Sequence, residues 1–435
     1  MKDGPLGRQY FNMLMESQFW SAERLRDYQR SQLIQLLIHA KNNSPFYRTR
    51  LDVLFTRGGD IDWDRWSDVP ILKRADVLAH GEELRASATP PGHGGQGPVS
   101  TSGTSGAPLT VWWTALGQLA FRAARFRTYR WHGVDWTKTC CAIAGDDEAQ
   151  SAWPDGEVVG HWGPDWDPDT RRGTMLRINR LESAEHKIEY LARNGVSYLT
   201  TGPNAAYALS LAAERTGMRA NLDVFLPHGA MVAETDRAAI LRTFGARTMD
   251  VYSSKEAGLL AHACDEYKGM HVCGEMLLLE IVDDEGRPVR EGELGRVVVT
   301  PFFSTAQPLI RYDQGDVARF APECPCGRHS QLLDGLIGRS GTVFYHPDGR
   351  VQSAFVGMHR HLLNCSAWQI AQTGPTAFAV RYIPLDPDVD GDEAAIAELL
   401  RRLYFEDAEV TFVRLGELPI LPNGKPAEYV NEWLP

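Results

Sequence analysis

Ser100-Thr101-Ser102-Gly103-Thr104-Ser105-Gly106-Ala107-Pro108 crowds hydroxyls and glycines into nine residues, and apolar Leu109, Val111, Trp112 and Trp113 follow at once. Glycines let successive backbone N–H groups turn into one concavity, and such nests bind anions. The hydroxyls add donors, so the stretch reads as a phosphate cradle. It is not a P-loop, because Ala107 stands where that motif needs lysine after glycine. A flexible linker has the same composition, and Pro90-Pro91-Gly92-His93-Gly94-Gly95 just upstream favours that reading.

Working outward, Thr114 to Arg130 reads as a helix. Upstream, Leu25, Leu33, Leu36, Leu37 and Ala40 fall at helical spacing between Ser21 and Asn43, and Asn42-Asn43-Ser44-Pro45 ends the pattern. Downstream, two helical patterns between Leu181 and Gly217 flank a buried strand at Val196–Thr200. Phe225–Pro227 and Thr248–Tyr252 read as further strands, separated by a helix from Glu234 to Phe244. This alternation predicts an α/β chain whose large N-terminal domain is built on doubly wound, mainly parallel sheets. After Gly274 the pattern turns β-rich, with Met276–Val282, an Asp284-Glu285-Gly286 turn and Gly295–Thr300. From Ser340 the chain carries its own strand signals and a helix from Gly391 to Leu403, so the expected domains are 1–339 and a small α+β unit, 340–435.

Four further stretches carry chemistry. Tyr252-Ser253-Ser254-Lys255-Glu256-Ala257-Gly258 lies just past a predicted strand, where open α/β sheets bind ligands. Its ring and carboxylate suit a base and a Mg²⁺ ion, although the same residues also make an ordinary helix-capping turn. In Arg311-Tyr312-Asp313-Gln314-Gly315-Asp316, Gly315 frees the backbone to aim Asp316, and a carboxylate accepting two hydroxyl bonds makes a ribose clamp. A surface turn would use the same residues. Gly338-Arg339-Ser340-Gly341 sits at the domain border. Leu418 to Lys425 ends in a Pro-Asn-Gly turn that presents Lys425.

Taken in order, the five stretches resemble the adenylate-forming superfamily of acyl-CoA synthetases, adenylation domains and luciferases, over roughly residues 20 to 430. The resemblance is nearest to the phenylacetate-CoA ligase-like branch, which Ser44-Pro45-Phe46-Tyr47 also resembles. It implies that Thr101, Ser102, Gly103, Thr104, Ser105 and Gly106 hold the β- and γ-phosphates of ATP. Gly229 and Ala230 would approach the adenine, and Tyr252, followed by Ser253, would pack beside it. Glu256 would bind Mg²⁺, and Asp316 would clamp the ribose with Arg339 nearby. Lys425 would bridge the substrate carboxylate and the α-phosphate. The C-terminal domain would be mobile and pivot at Ser340 and Gly341. The acid pocket would draw on Trp162, Thr201, Pro203 and His228, within a stretch that also holds Trp153, His161 and Trp166; this aromatic content suits an aromatic or compact acid. The implied product is an acyl-AMP passed to coenzyme A or to the phosphopantetheine thiol of a carrier protein. The chain ends ten residues past Lys425, so any carrier is expected to be a separate protein.

The chain departs from the family in three places. Many relatives carry Lys at the Ala107 position. The hinge reads Arg339-Ser340-Gly341 rather than Arg-x-Asp. The Gly-containing loop that usually follows the hinge is replaced by Val343 to Val351, which reads as a β-hairpin with a Pro-Asp-Gly turn. That replacement opens a second reading, transfer of the acyl group to an amine or other nitrogen nucleophile. A third reading, a non-catalytic nucleotide-binding scaffold, is opposed by Glu256, Asp316 and Lys425 occurring together.

Cys324-Pro325-Cys326-Gly327 places two thiols on a tight turn, and Cys264, His271 and Cys273 lie upstream. Such sets bind Zn²⁺ tetrahedrally. The expected ligands are Cys264, His271, Cys324 and Cys326, with Cys273 as the substitute, and some members of the resembled branch hold zinc at similar positions. Four protein ligands close the site, which makes the metal structural. Buried free cysteines are the alternative.

Composition narrows the partners. The chain has 435 residues, 43% hydrophobic and 23% charged, with a net charge of −11 and no basic stripe, which argues against nucleic acid. It shows neither an apolar run of membrane-spanning length nor a signal-peptide pattern at Met1–Trp20. Seven cysteines in such a chain fit reduced thiols in a cytoplasmic protein.

Overall fold

The computed structural model describes residues 4–100, 109–144, 150–166, 169–229, 232, 234–264, 269–337, 343–348, 351–353, 360–418 and 428–433. Apart from two short segments, the chain divides into a unit that runs to Leu336 and another that begins at Ile337.

In the larger unit, helix Gly4–Ser17 is followed by Ala22–Asn43, which Ser21 caps by accepting the Arg24 N–H. The predicted helix after the glycine stretch is Ala115–Trp131, capped by Thr114, whose Oγ1 accepts the Gly117 N–H at 3.1 Å. Before it, Gln96–Ser100 pairs antiparallel with Thr110–Thr114, and the Ser100 and Thr110 hydroxyls lie 2.8 Å apart. An interdomain linker need not return to its starting point. Here the chain on either side of residues 101–108 is zipped together.

Six strands form the predicted mainly parallel sheet, in the order Glu157–His161, Thr174–Ile178, Cys140–Ile143, Tyr198–Thr201, Val224–Pro227 and Arg247–Thr248. Only the first is antiparallel to its neighbour. Helices Ala184–Arg193, Pro203–Thr216 and Glu234–Phe244 provide crossovers, and their apolar faces join the sheet in a core around Ile188, Leu191, Leu209, Phe225 and Ile240. Among the described residues there is one such sheet. The predicted strand Thr248–Tyr252 divides: Arg247–Thr248 ends the parallel sheet, and Val251–Ser254 opens another.

That second sheet has seven strands in the order Leu277–Val282, Gly295–Pro301, Tyr312–Ala321, Leu332–Ile337, Met270–Val272, Gly258–Ala263 and Val251–Ser254; neighbours pair antiparallel from Leu277–Val282 to Tyr312–Ala321 and again from Leu332–Ile337 to Val251–Ser254. The β-rich part therefore begins at Val251, not after Gly274. Short antiparallel hairpins at 251–263 carry too few residues to display their alternation in sequence.

The smaller unit has a mixed sheet of Glu409–Arg414, Ala377–Pro384, Cys365–Gln372 and Tyr429–Asn431. Helix Glu393–Leu403, slightly shorter than predicted, buries Ile396 and Leu400 among Phe378, Val380 and Tyr382. The predicted post-hinge hairpin is present, with Val343–Tyr345 paired to Val351–Ser353. No described helix is long and apolar enough to cross a membrane.

Candidate active site and metal centre

Tyr252 and Asp316 lie on strands four apart in the seven-stranded sheet. A flat sheet would hold them roughly 19 Å apart, at about 4.8 Å per strand. Instead the Tyr252 hydroxyl donates to the Asp316 carboxylate, so the sheet is rolled and its inner face is where the two meet. Both side chains are buried. Glu256, in the turn after Tyr252's strand, joins the same face: its Oε1 receives the Tyr312 hydroxyl at 3.5 Å and lies 3.4 Å from the Arg74 guanidinium. The Glu256 side chain is wholly shielded from solvent. Three predicted positions thus converge from segments 56 to 64 residues apart.

The turn that carries Glu256 is docked on the hairpin flanking the glycine stretch. Trp113 Nε1 donates to the Lys255 carbonyl at 3.0 Å. Gly258 has φ +82°, and a Cβ there would meet the Trp113 ring at 2.8 Å, so glycine alone fits this approach. Ser253 is exposed on its strand. Arg74 was not singled out from sequence. It reaches Glu256 because Leu72 bridges to Tyr312 and buried Arg311 donates to the carbonyls of Ser67 and Val69 at 2.9 Å. No local pattern announces such a long-range staple.

Thr201, Pro203, His228 and Gly229 gather at the carboxyl ends of adjacent parallel strands, where Thr201 faces Pro227 and the His228 N–H bonds the Thr201 carbonyl at 3.2 Å. Trp162 does not join them. It follows His161 beyond the amino ends of the parallel strands, donates to the Lys138 carbonyl at 2.7 Å and packs edge-on against Tyr129 and Tyr198. Trp166 likewise belongs to an aromatic core with Phe11, Phe126 and Trp136, while Trp153 stacks on His186 and His161 is exposed. Thr101 to Gly106, Ala230, Arg339, Ser340, Gly341 and Lys425 lie outside the described residues.

Elsewhere in the same unit, one ligand atom from each of Cys264, His271, Cys324 and Cys326 falls within 4.8 Å of the others. Antiparallel pairing of Gly258–Ala263 with Met270–Val272 places Cys264 near His271, and the Cys-Pro-Cys turn supplies the other two. Cys326 Sγ is 3.3 Å from His271 Nε2, and His271 Nδ1 lies 3.1 Å from the Ser330 hydroxyl, which orients the ring. Burial, reinforced by the Arg328 charge, lowers the His271 pKa to about 4, so the imidazole is neutral at neutral pH. Cys273, the substitute ligand, stands apart from the cluster. Burial raises its thiol to about 12, and it faces Arg127 and Glu275 instead. Behind the cluster, Trp131 is sandwiched between His262 at 4.0 Å and the Arg328 guanidinium at 3.8 Å. Arg328 also donates to Gln18 Oε1 at 3.2 Å, and Arg127 bonds both Glu275 Oε1 and the Leu14 carbonyl.

No family model matches the chain. It is 25% identical over 334 residues to a phenylacetate-coenzyme A ligase of Thermus thermophilus, covering 73% of this chain and 71% of that one. Among solved structures it is similar to a 2-hydroxyisobutyryl-CoA ligase bound to an acyl-AMP, with TM-score 0.69 and 18% identity over 95% of this chain and 91% of that one. An amide bond synthetase of Marinactinospora thermotolerans matches with TM-score 0.52 and 16% identity over 97% and 98% of the two chains. The chain therefore has the adenylate-forming fold, and its sequence is similar to the phenylacetate-CoA ligase-like branch of that superfamily.

Proposed function

We propose that the chain is an AMP-forming acid ligase, which joins a carboxylic acid to the α-phosphate of ATP, releases pyrophosphate and transfers the acyl group to a thiol of coenzyme A or a separate carrier protein. The observation that carries this is the meeting of Tyr252, Asp316 and Glu256 on one rolled face. Asp316 accepts ribose hydroxyls, the Tyr252 ring lies along the base, and Gly229 and Ala230 edge the adenine. Glu256 offers the hard oxygen ligand that Mg²⁺ prefers. The ion, when bound, supplies positive charge that screens two anions as they approach. Lys425 adds charge where carboxylate and phosphate oxygens meet, and the loop 101–106 receives the departing pyrophosphate. With Trp162 and Trp166 half-buried and packed against the core, away from Thr201 and His228, their case for an aromatic acid falls away. Thr201, Pro203 and His228 then frame a compact acid, aryl or aliphatic. ATP–pyrophosphate exchange against a panel of such acids tests the reading: exchange with one of them is expected, and formation of ADP and phosphate overturns it.

A second reading sends the adenylate to a nitrogen nucleophile. The hairpin Val343–Ser353, standing where relatives carry a glycine loop of the thioester site, is what favours it. The proposal also includes one structural Zn²⁺ on Cys264, His271, Cys324 and Cys326, supported by the tight grouping of four soft and borderline donors that leaves no open coordination position.

A further inference from the structure

We infer that Gln314 is a nucleotide-binding residue whose carboxamide hydrogen-bonds the sugar–phosphate segment of an adenine nucleotide held by Asp316. The inference rests on the adenylating reading above. Gln314 is 3% exposed, and its Oε1 and Nε2 are both shielded from solvent with no hydrogen-bond partner among the described residues. Buried polar groups are nearly always paired, and an unpaired one is a standing cost to the fold. Two such atoms on one side chain mark a group whose partner arrives with a ligand.

Its place in the strand says which ligand. Tyr312, Gln314 and Asp316 are buried, whereas Asp313 is partly exposed and Gly315 exposed. Asp313 faces away and pairs with Arg296 at 2.9 Å. Between the pairs Arg296–Val317 and Val298–Asp313 this strand carries two residues more than its partner, a bulge around Gly315 at φ +72° that keeps Gln314 and Asp316 both turned inward. Tyr312 reaches Glu256 and Asp316 receives Tyr252, so Gln314 stands between the two carboxylate positions of the site. A nucleotide with its ribose on Asp316 and its phosphate-bound cation on Glu256 runs its sugar–phosphate link past Gln314. A carboxamide suits that link: Nε2 donates to an anionic phosphate oxygen, Oε1 accepts from a hydroxyl, and no further negative charge is added.

The test is Gln314→Met, which keeps the length and removes both polar atoms, alongside Gln314→Glu. Melting of the ligand-free protein and calorimetric binding of AMP and of adenosine are measured. Gln314→Met is expected to melt at or above the wild-type temperature and to bind AMP roughly tenfold to a hundredfold more weakly. Gln314→Glu is expected to lose AMP affinity at least as far, and adenosine affinity much less, because its carboxylate meets the phosphate. A Gln314→Met protein that melts lower, or that binds AMP as the wild type does, overturns the inference and leaves the adenylating reading standing. A wild-type chain that binds neither AMP nor adenosine overturns both.

Discussion

The Sγ atoms of Cys264 and Cys324 stand 3.7 Å apart. That is far beyond a disulfide bond of about 2.05 Å, and it matches the edge of a tetrahedron with two thiolates about 2.3 Å from a zinc ion, about 3.8 Å. Protein purified without added zinc is therefore expected to carry one Zn²⁺ per chain by elemental analysis. Cys324→Ser should lower the melting temperature far more than it alters pyrophosphate exchange, because a closed site contributes to folding rather than to chemistry. Metal-free protein with unchanged melting would rule out the centre.

Asp316→Asn keeps the shape of the side chain and removes the charge that strengthens bonds from ribose hydroxyls. Steady-state exchange should show a higher KM for ATP with the fold intact by circular dichroism. An unchanged KM would take Asp316 out of the nucleotide site.

Lys425→Ala and Gly341→Pro should separate the half-reactions. Loss of the Lys425 charge is expected to slow pyrophosphate exchange by about 10²- to 10³-fold, while transfer from a synthetic acyl adenylate survives. Gly341→Pro should restrict the proposed pivot and do the opposite. Equal loss of both half-reactions in both variants would mean that a single pose serves both steps.

Arg311 is buried and donates to three carbonyls, those of Ser67, Val69 and Gly286, besides pairing with Glu280 at 3.2 Å. Burial drives the Glu280 pKa up and the Arg311 charge opposes that. Removing one partner of such a pair strands the other, so Arg311→Met should cost about 3–5 kcal/mol in urea unfolding. A cost below about 1 kcal/mol, the range of exposed pairs, would show that the pair carries no structural weight.

In the smaller unit, hydrogen bonds first to Asp407 and then to Asp348 raise the His346 pKa above its ordinary value. A raised folded pKa contributes stability that is present below the unfolded value, about 6.5, and is lost as pH climbs through the folded one. His346→Gln should therefore destabilise the protein at pH 5.5 and have little effect at pH 8.5. Equal effects at both pH values in thermal melts would contradict this assignment.

The helix Glu234–Phe244 was legible to the residue, because its period is long and its ends are marked. The Cys/His cluster was legible as well, since a Cys-Pro-Cys-Gly turn is a local signal; Cys264 rather than Cys273 joins it because the hairpin turns Cys264 toward His271. Thr248 to Tyr252 misled because one apolar run serves two sheets, and the crossing between Thr248 and Val251 has no signature of its own. Trp162 misled because an aromatic ring looks the same at either end of a strand. Arg74 and Gln314 were invisible: Arg74 acquires its meaning from Glu256, and Gln314 from its place between Tyr312 and Asp316 on the inner face of the rolled sheet.

Arg328 sits two residues past Cys326 of the Cys/His cluster and grips Gln18, just beyond helix Gly4–Ser17. The same helix is held from below by Arg127 through the Leu14 carbonyl and by the bond from Ser17 to Glu275. The amino-terminal helix is thus moored to the cysteine turn, and its amide protons become a gauge of metal occupancy. Chelation should quicken deuterium uptake across residues 4–19 before the parallel sheet loosens, so that the first sign of metal loss from the proposed centre is written at the opposite end of the sequence from the lysine proposed to do the chemistry.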